Sequence, residues 1–242
     1  MSAQTMAAMC DLNIADMRTP YKDKRAVFDE CDLVSKEPVT QFKAWFDEAC
    51  QTEGILEPNA MALATADKTG HPSVRMVLLK GFDKNGFKFF SNYGSRKGRD
   101  LRDNPYCSLV FYWYALKRQV RIEGPVEKLS AEESTEYFHR RPQGSQIGSA
   151  ISKQSTPVAS RQALEDKYNE MEKEYSDGNK MIPKPEFWGG YLVKPELVEF
   201  WQGQTNRVHD RIVFRRQRQG EVIDPAVTKT GEDGWVYERL CP

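Results

Sequence analysis

The chain has 242 residues, of which 39% are hydrophobic and 11% are aromatic, as is usual for a globular protein. Its 35 lysine and arginine residues balance 35 aspartate and glutamate residues, so no overall field favours nucleic acid, and an anion site must be a local concentration of charge. The longest apolar run, around Leu109–Tyr114, is too short to span a bilayer, so no membrane partner is predicted.

Cysteine and histidine spacing gives no support to a metal site or a disulfide framework. The five cysteines are spread widely without a C-x-x-C pair, and the three histidines lack H-x-x-x-H spacing. We therefore predict no metal and a reducing, cytoplasmic location. No basic region followed by an apolar core opens the chain, so no secretory or transit peptide is predicted.

Residues 1–36 lack clear periodicity and are predicted to form an N-terminal arm that is mobile at least at its start. Within the arm, Arg18–Arg25 carries four basic residues around Tyr21. This segment is either a solvated charged tail or a flap that folds over an anionic ligand. The first helix is predicted at Pro38–Gln51, because Pro38 suits a first-turn position and the apolar residues fall on one face.

The sequence period then changes to that of strands. Three strands joined by the turn sequences D-K-T-G and D-K-N-G are predicted at Ala60–Ala66, Ser73–Phe82 and Phe87–Tyr93. Two turn-linked hairpins in succession favour an antiparallel meander. Ser95 can cap a short helix, Arg96–Arg102, whose first turn carries Arg96 and Lys97. Cations at this helix end are better tolerated if an anion binds there.

The rest of the chain alternates between helical and strand patterns. Tyr106–Tyr114 is almost continuously apolar, which predicts a central strand buried on both faces. The later helices are predicted at Glu132–Arg141, Gln143–Ser152 and Ser160–Tyr175, and the later strands at Gln119–Leu129, Trp188–Val193, Leu197–Gln202, Arg207–Arg216 and Gly234–Arg239. Residues 37–242 are thus predicted to form one α+β domain, an antiparallel barrel or curved sheet flanked by helices.

The segment Trp201–Arg211, W-Q-G-Q-T-N-R-V-H-D-R, is the first candidate site. In a strand, Arg207, His209 and Arg211 point to one face, an arrangement that favours an anion opposite them. The two flanking arginines are expected to lower the pKa of His209 and keep its imidazole neutral. A purely structural histidine is the alternative.

Two further groups of residues suggest separate anion sites. In a regular strand Arg75 and Lys80 point to opposite faces, although Lys80 could also be an ordinary charge at a strand edge. Tyr137 and Arg141 lie four residues apart on one helix face, and Ser145 follows in a turn. Arginine, tyrosine and serine together are suited to holding a phosphate dianion. The alternative is a core tyrosine and a surface arginine.

No nucleophile elbow, P-loop, Rossmann glycine pattern or paired-carboxylate motif is present in the sequence. Several separate cation clusters and many aromatic residues remain. This pattern favours the binding of phosphorylated aromatic molecules, with the difficult chemistry carried by a cofactor.

The motifs resemble those of the pyridoxine/pyridoxamine 5′-phosphate oxidase family. The matching segments are R-M-V-L-L-K-G-F (75–82), F-F-S-N-Y-G-S-R-K-G (89–98), R-Q-V-R-I-E-G (118–124), Y-F-H-R-R-P (137–142), S-Q-I-G (145–148) and F-W-Q-G-Q-T-N-R-V-H-D-R (200–211), with the ending Y-E-R-L-C-P. The resemblance implies an FMN-binding split β-barrel that works as a homodimer, with FMN held between the subunits.

Position by position, the resemblance also implies roles for individual residues. FMN contacts are implied for Arg75, Met76, Val77, Leu78, Phe90, Ser91, Arg96, Lys97, Gln119, Gln154, Ser155, Trp201 and Arg211. The substrate phosphate is assigned to Lys80, Tyr137, Arg141 and Ser145, and the reacting end to Arg207 and His209 as catalytic residues. A lid over the substrate is assigned to Lys22, Asp23, Lys24 and Arg25, preceded by Arg18 and Tyr21.

The reaction implied by the resemblance is the oxidation of pyridoxine or pyridoxamine 5′-phosphate at C4′ to pyridoxal 5′-phosphate. Hydride passes to flavin N5, and O2 reoxidises the flavin and yields hydrogen peroxide, with ammonia released from the amine. Two alternatives remain open: a non-catalytic module that carries flavin or pyridoxal phosphate, and a flavin reductase that uses a nicotinamide. Substrate-dependent peroxide production and bleaching of the flavin by NADPH distinguish them.

Overall fold

The computed structural model describes residues 21, 27–176, 178 and 180–242, so the predicted lid residues Lys22, Asp23, Lys24 and Arg25, like Arg18, lie outside the described residues. The helices are α1 Pro38–Gln51, α2 Arg96–Asp103, α3 Ala131–Arg140, α4 Gln143–Ile151 and α5 Arg161–Glu174. The strands are β1 Ala60–Ala66, β2 Pro72–Leu78, β3 Gly81–Asp83, β4 Gly86–Asn92, β5 Tyr106–Trp113, β6 Arg118–Lys128, β7 Trp188–Val193, β8 Leu197–Gln202, β9 Asp210–Arg216, β10 Thr228–Thr230 and β11 Trp235–Arg239. None of the described helices combines the length and apolarity needed to cross a bilayer.

Hydrogen bonding joins the described strands into one antiparallel system. The main path runs in the order β10-β11-β9-β8-β6-β5-β1-β2, and a branch leads from β6 through β7 and β4 to β3. Every strand pair is antiparallel. The predicted α+β class with an antiparallel sheet is therefore confirmed.

Strand β6 belongs to both branches of the sheet. Its first half, Arg118–Glu123, pairs with β8, and its last residues, Val126–Lys128, pair with β7. The change of partner occurs at Gly124, where a Cβ atom would lie 1.9 Å from the carbonyl oxygen of Lys194. Only glycine allows the backbones to approach so closely.

A second crossing between the branches lies between β2 and β3. The amide of Leu79 donates to the carbonyl of Asn59 beside β1, at 2.8 Å, whereas the next amide, of Lys80, donates to the carbonyl of Lys88 in β4, also at 2.8 Å. Successive amides thus bond to different branches. For this reason the single strand predicted at 73–82 is wrong, and two shorter strands take its place.

Helix α1 contributes the side chain at the centre of the main core. Its N-terminus is capped by the Glu37 carboxylate, which accepts from the amides of Val39 and Thr40. One turn later Phe42 is fully buried, with ring centroids 5.0 to 5.1 Å from its partners Phe82, Phe87 and Phe111. The amphipathic stripe predicted for this helix is therefore confirmed as core packing.

A smaller apolar cluster lies under helices α3, α4 and α5. Its buried members are Phe138, Ile147, Tyr175, Ile182 and Trp188, and the partly buried Phe90 and Tyr137 pack against it. Because Phe90 belongs to β4 and Tyr137 to α3, this cluster fixes the helices against the sheet beside the candidate site described below.

Three predictions about the strands are wrong in detail. Strand β5 is fully buried on one face only, since Tyr106 and Tyr112 on its other face are about half exposed. Strand β9 begins at Asp210, three residues later than predicted. Strand β10, Thr228–Thr230, lies in a segment for which no strand was predicted.

Phe42→Ala is expected to destabilise the protein by about 3–5 kcal/mol, because it leaves a cavity where five aromatic neighbours now meet one ring. Leu56, which is 94% exposed, provides a matched control as Leu56→Ala. Urea unfolding at one fixed protein concentration measures both. Equal midpoints for the two variants would contradict this description of the core.

Candidate functional site

One cavity of about 440 Å³ is lined by most of those predicted ligand-binding residues that the structure describes. It lies between β2, β4 and the helices α3 and α4, and its volume is in the range of small-molecule sites. The predicted residues that line it are Met76, Val77, Leu78, Lys80, Phe90, Ser91, Lys97, Tyr137, Arg141, Ser145 and Gln154. Residues predicted from separate motifs are therefore brought to one place.

Lys97 is the principal cation at one side of this cavity. It is only 7% exposed, and its Nζ donates to Gln154 Oε1 at 2.9 Å and to Ser95 Oγ at 3.3 Å. No carboxylate of the described residues forms an ion pair with it. Burial, together with the nearby positive charge of Arg75, lowers the pKa of Lys97 to about 8. A buried cation with two neutral partners is well suited to an anionic ligand.

Arg75 and Arg96 lie behind the cavity wall and share one carboxylate. Arg96 Nε is 2.9 Å from Asp100 Oδ1, and Arg75 Nη2 lies 3.9 Å from Asp100 Oδ2. Arg75 also donates to Thr65 Oγ1 at 2.7 Å. Burial lowers the pKa of Arg75 despite the opposing charge of Asp100. Arg75 adds to the positive potential at Lys97, but neither arginine lines the cavity.

A second cationic group lies at α3 and α4. Arg141 Nη1 donates to Ser149 Oγ at 2.8 Å, and its guanidinium lies 4.8 Å from the centroid of the Trp188 ring. Burial lowers the pKa of Arg141. The Tyr137 ring stacks on Phe90 with centroids 3.9 Å apart. The predicted combination of arginine, tyrosine and serine is therefore assembled against an aromatic wall.

The remaining predicted residues form a separate group, the strand patch: Gln119, Trp201, Arg207, His209 and Arg211. Gln119 pairs with Trp201 across β6 and β8, and Trp201 pairs with Arg211 across β8 and β9. None of the five lines the cavity. Ser155 also lies outside it, exposed and with a left-handed backbone at φ 68°.

Arg211 is held within its own chain by Glu199. Its Nε donates to Glu199 Oε1 at 2.9 Å, and Arg121 Nη2 donates to the other carboxylate oxygen at 2.8 Å. Burial tends to raise the pKa of Glu199, but hydrogen bonds from Arg211 and Arg121 outweigh it and the pKa is lowered. Arg211 is thus rigidly placed on the sheet face.

Arg207 and His209 lie in a loop, so the prediction that they share a strand face with Arg211 is wrong. Arg207 has a left-handed backbone at φ 68°, and Asn206 Oδ1 accepts from the amide of Val208 at 3.0 Å. Such local bonds compete with strand pairing. The predicted lowering of the His209 pKa is confirmed: burial contributes most, then the charge of Arg207, while Asp210 opposes both.

Tyr21 packs on the strand patch, in a space that is open because residue 203 is a glycine. Its ring lies 5.7 Å from His209 and 6.2 Å from Trp201, and its carbonyl accepts from Thr205 Oγ1 at 3.1 Å. A Cβ atom at Gly203 would lie 2.8 Å from the Tyr21 ring and 2.9 Å from Trp201. The absence of a side chain at Gly203 leaves the space in which Tyr21 packs.

Some cavity residues escaped the sequence reasoning. Asn92 Nδ2 donates to the Ser152 carbonyl at 2.9 Å, Ser149 holds Arg141, and Trp188 provides the face beneath that arginine. Each of these residues lies well away from its partner along the chain or belongs to no periodic pattern in the sequence. Only the position of Trp188 at the start of a predicted strand was a usable signal.

Comparison with known families agrees with this geometry. Residues 46–175 match the family described as pyridoxamine 5′-phosphate oxidase, and residues 188–242 match the pyridoxine 5′-phosphate oxidase C-terminal dimerisation region. The chain belongs to the pyridoxine/pyridoxamine 5′-phosphate oxidase family. A family member of that name from Bombyx mori is 55% identical over 231 residues, covering 96% of this chain and 90% of the relative. A pyridoxine-5′-phosphate oxidase from Bos taurus is 53% identical, covering 96% and 88%.

Solved structures similar to this family member include PhzG from Burkholderia lata 383, in complex with tetrahydrophenazine-1-carboxylic acid. It is 28% identical, with a TM-score of 0.76 over 91% of this chain and 100% of PhzG. A pyridoxamine 5′-phosphate oxidase-related, FMN-binding protein from Nostoc punctiforme shares 15% identity and a TM-score of 0.61, over 83% and 97%. The second likeness supports the fold alone.

Gly203→Ala is expected to displace Tyr21 from the strand patch, because the new methyl group would overlap its ring. Nuclear Overhauser contacts from Tyr21 to the rings of Trp201 and His209 measure the displacement. Gly148→Ala is the control, since a Cβ atom there meets nothing within 4 Å. Unchanged Tyr21 contacts in Gly203→Ala would refute this packing.

Proposed function

We propose that this chain is an FMN-dependent oxidase that converts pyridoxine 5′-phosphate and pyridoxamine 5′-phosphate to pyridoxal 5′-phosphate. O2 is the electron acceptor, and hydrogen peroxide is released, with ammonia from the amine substrate. The observation that carries the proposal is the single cavity in which Lys97 and the group of Lys80, Tyr137, Arg141 and Ser145 meet. The identity to oxidases of this name over nearly the whole chain supports it.

The donors around Lys97 fit the phosphate of FMN. Lys97 is a buried cation without a carboxylate partner among the described residues, and Ser91 and Gln154 line the cavity beside it. Arg75 strengthens the positive potential at Lys97 from behind the cavity wall. When bound, FMN supplies the redox chemistry by accepting two electrons from the substrate and passing them to O2.

We assign the substrate phosphate to Lys80, Tyr137, Arg141 and Ser145. Arg141 is half-buried, oriented by Ser149 and supported by the Trp188 ring, so its guanidinium is fixed before any ligand arrives. Fixed donors lose little conformational entropy on binding. The aromatic wall of Phe90 and Tyr137 excludes water from one side of the cavity.

We propose that the strand patch completes the cavity of a second subunit in a homodimer. Within one chain the patch does not line the cavity, yet Gln119, Trp201 and Arg211 form a row on the outer sheet face. The same face exposes Val74 and Met76 by 68% and 65%. Adjacent exposed apolar residues of this kind mark an interface, and the matched dimerisation region includes β8 and β9.

In this arrangement Arg207 and His209 serve the reacting end of the substrate. The lowered pKa of His209 keeps its ring neutral near pH 7; Nδ1 accepts from the Gln204 amide, so the other ring nitrogen carries a proton that it can donate at the C4′ substituent. Arg207 is exposed on the loop and available to a ligand oxygen. Correct placement matters, because an error of about 1 Å can cost about 10²-fold in rate.

We further propose that residues 37–242 act as one domain and residues 1–36 as an arm that covers the substrate, with Lys22–Arg25 as its lid. The main core supports the proposal of one domain, because it contains Phe42 of α1, Met61 of β1 and Trp235 of β11 alike.

A cytoplasmic location is proposed from the cysteine pattern.

Lys97→Met is expected to weaken FMN binding by about 10- to 100-fold, the usual effect of losing one charge-assisted hydrogen bond. In the wild-type apoprotein FMN affinity should also fall as pH rises through about 8, because Lys97 then loses its proton. Quenching of flavin fluorescence between pH 6.5 and 9.5 measures both effects. Lys43→Met, on the exposed face of α1, is the control. A wild-type affinity that is constant over this range would contradict the assignment.

Arg207→Ala is expected to lower kcat/KM by about 10²-fold or more while FMN stays bound, since the residue faces substrate in the proposal. Oxygen consumption with each phosphorylated vitamer and the visible flavin spectrum measure the two properties. Arg218→Ala, which removes an exposed loop arginine elsewhere, is the control. Near-normal turnover would exclude this role for Arg207.

The same oxygen assay separates the proposed function from its alternatives. A carrier module would bind flavin or pyridoxal phosphate but produce no peroxide on addition of either substrate. A nicotinamide-dependent flavin reductase would show bleaching of the flavin by NADPH. A purified protein that is colourless and indifferent to FMN would overturn the proposal entirely.

A further inference from the structure

The Asp210 carboxylate is the centre of a buried network beside the proposed catalytic loop. Asp210 opens β9 and is 7% exposed. Its Oδ2 accepts from the Gln204 side-chain amide at 2.8 Å and from the Phe28 backbone amide at 3.0 Å. Its Oδ1 accepts from Arg239 Nη1 at 2.9 Å. A neutral side chain of the same shape cannot accept all three bonds, because an amide has only one acceptor oxygen.

The network reaches His209 through Gln204. The side chain of Gln204 is anchored on Asp210, and its backbone amide donates to His209 Nδ1 at 2.9 Å. In a neutral imidazole one nitrogen accepts while the other carries the proton. Since Nδ1 accepts here, the proton lies on Nε2. A proton on Nδ1 would set two donors against each other.

The same carboxylate ties the base of the arm to this loop. Arg239, which pairs with Asp210, also donates to the Phe28 carbonyl at 3.1 Å and to the carboxylates of Asp29 and Glu30, each at 2.9 Å. Asp210 is therefore bonded to three elements at once: the residues that begin at Phe28, the end of β11 and the loop before β9.

We propose that Asp210 is a positioning residue that fixes the tautomer of His209 through Gln204. By holding Gln204, it keeps the backbone amide on Nδ1 and leaves the Nε2–H form of the ring to meet the ligand. The inference rests on the proposed function, in which His209 serves the reacting end of the substrate. It assigns to Asp210 no contact with substrate or FMN.

A purely electrostatic role for Asp210 predicts the opposite sign. Among the described residues, the titratable groups that face His209 are Arg207 and Asp210 beside it, Tyr21 and, beyond Tyr21, Lys117, whose Nζ is 5.6 Å from the Tyr21 ring. The Asp210 charge favours the imidazolium, so its removal alone lowers the pKa of His209. Release of Nδ1 from the Gln204 amide raises that pKa instead, because the donor that opposes protonation is lost.

Two variants test the proposal in the FMN-loaded protein, Asp210→Asn and Gln204→Leu. Gln204→Leu leaves every formal charge in place and removes the anchor on Asp210. Glu238→Gln is the matched control: Glu238 accepts from Arg215 at 2.6 Å and Thr228 at 2.8 Å on the neighbouring strand β11, away from His209. Nitrogen chemical shifts of the His209 ring, followed with pH, give its tautomer and its pKa without reference to activity.

We expect a mixture of tautomers in both variants and a raised His209 pKa in Gln204→Leu, where no charge is lost, with kcat/KM lower by about 10- to 100-fold in both, mainly through kcat. Glu238→Gln should match the wild type. A lowered pKa in Asp210→Asn with no change in Gln204→Leu would overturn the proposal in favour of a charge effect alone. If Asp210→Asn does not fold, Gln204→Leu decides by itself.

Failure of the proposed function is distinguishable from failure of this inference. A wild-type protein that consumes no oxygen with either vitamer would refute the oxidase, while the ring-nitrogen shifts would still report whether Asp210 sets the tautomer. Conversely, an active enzyme with unchanged His209 shifts in both variants would refute the positioning role alone.

Discussion

A desolvated cation without a carboxylate partner is the constraint around which the cavity is built. Removing the charge of Lys97 from water is costly, and its neutral partners Ser95 and Gln154 offset that cost only in part. The pKa of Lys97 is lowered because these partners stabilise its charge less than water would. An anionic ligand supplies the missing partner, so binding should stabilise the folded protein by an amount that grows with the logarithm of ligand concentration above Kd.

Two arginines at or near the strand patch have carboxylate partners instead. Arg211 shares Glu199 with Arg121, and Arg239 bonds to Asp210, which also accepts from the Phe28 amide, so the charges of both arginines are neutralised inside the chain. Paired in this way, they hold geometry more than they attract charge. Lys97 and Arg141, by contrast, lack carboxylate partners among the described residues and face the cavity.

Sequence periodicity predicted regular elements well and loops poorly. The bounds of Pro38–Gln51, Ala60–Ala66 and Leu197–Gln202 were predicted correctly because burial on one face leaves a periodic pattern. The loop that carries Arg207 and His209 was mistaken for a strand. Its backbone is set by side-chain contacts of Gln204 and Asn206, which leave no period in the sequence.

The residues of the candidate site were likewise predicted where a local periodic pattern marked them and missed where it did not. Helical spacing alone grouped Tyr137 with Arg141, and the structure places both on the cavity. The convergence of β4, α2 and α4 on that cavity is a tertiary property, and only the resemblance to known oxidases linked those motifs beforehand. The prediction that Tyr106–Tyr114 is buried on both faces failed for a related reason, because apolar content alone cannot tell a strand buried on both faces from one with an exposed apolar face.

The crossing at Leu79 and Lys80 has a mechanical consequence. Because adjacent amides bond to separate branches of the sheet, the distance between the branches determines the position of the Lys80 side chain. A core substitution that spreads the branches would therefore alter ligand affinity without touching a ligand. Heating that loosens the same packing would also alter ligand affinity. Ligand affinity and thermal resistance in this protein should accordingly vary together across core variants.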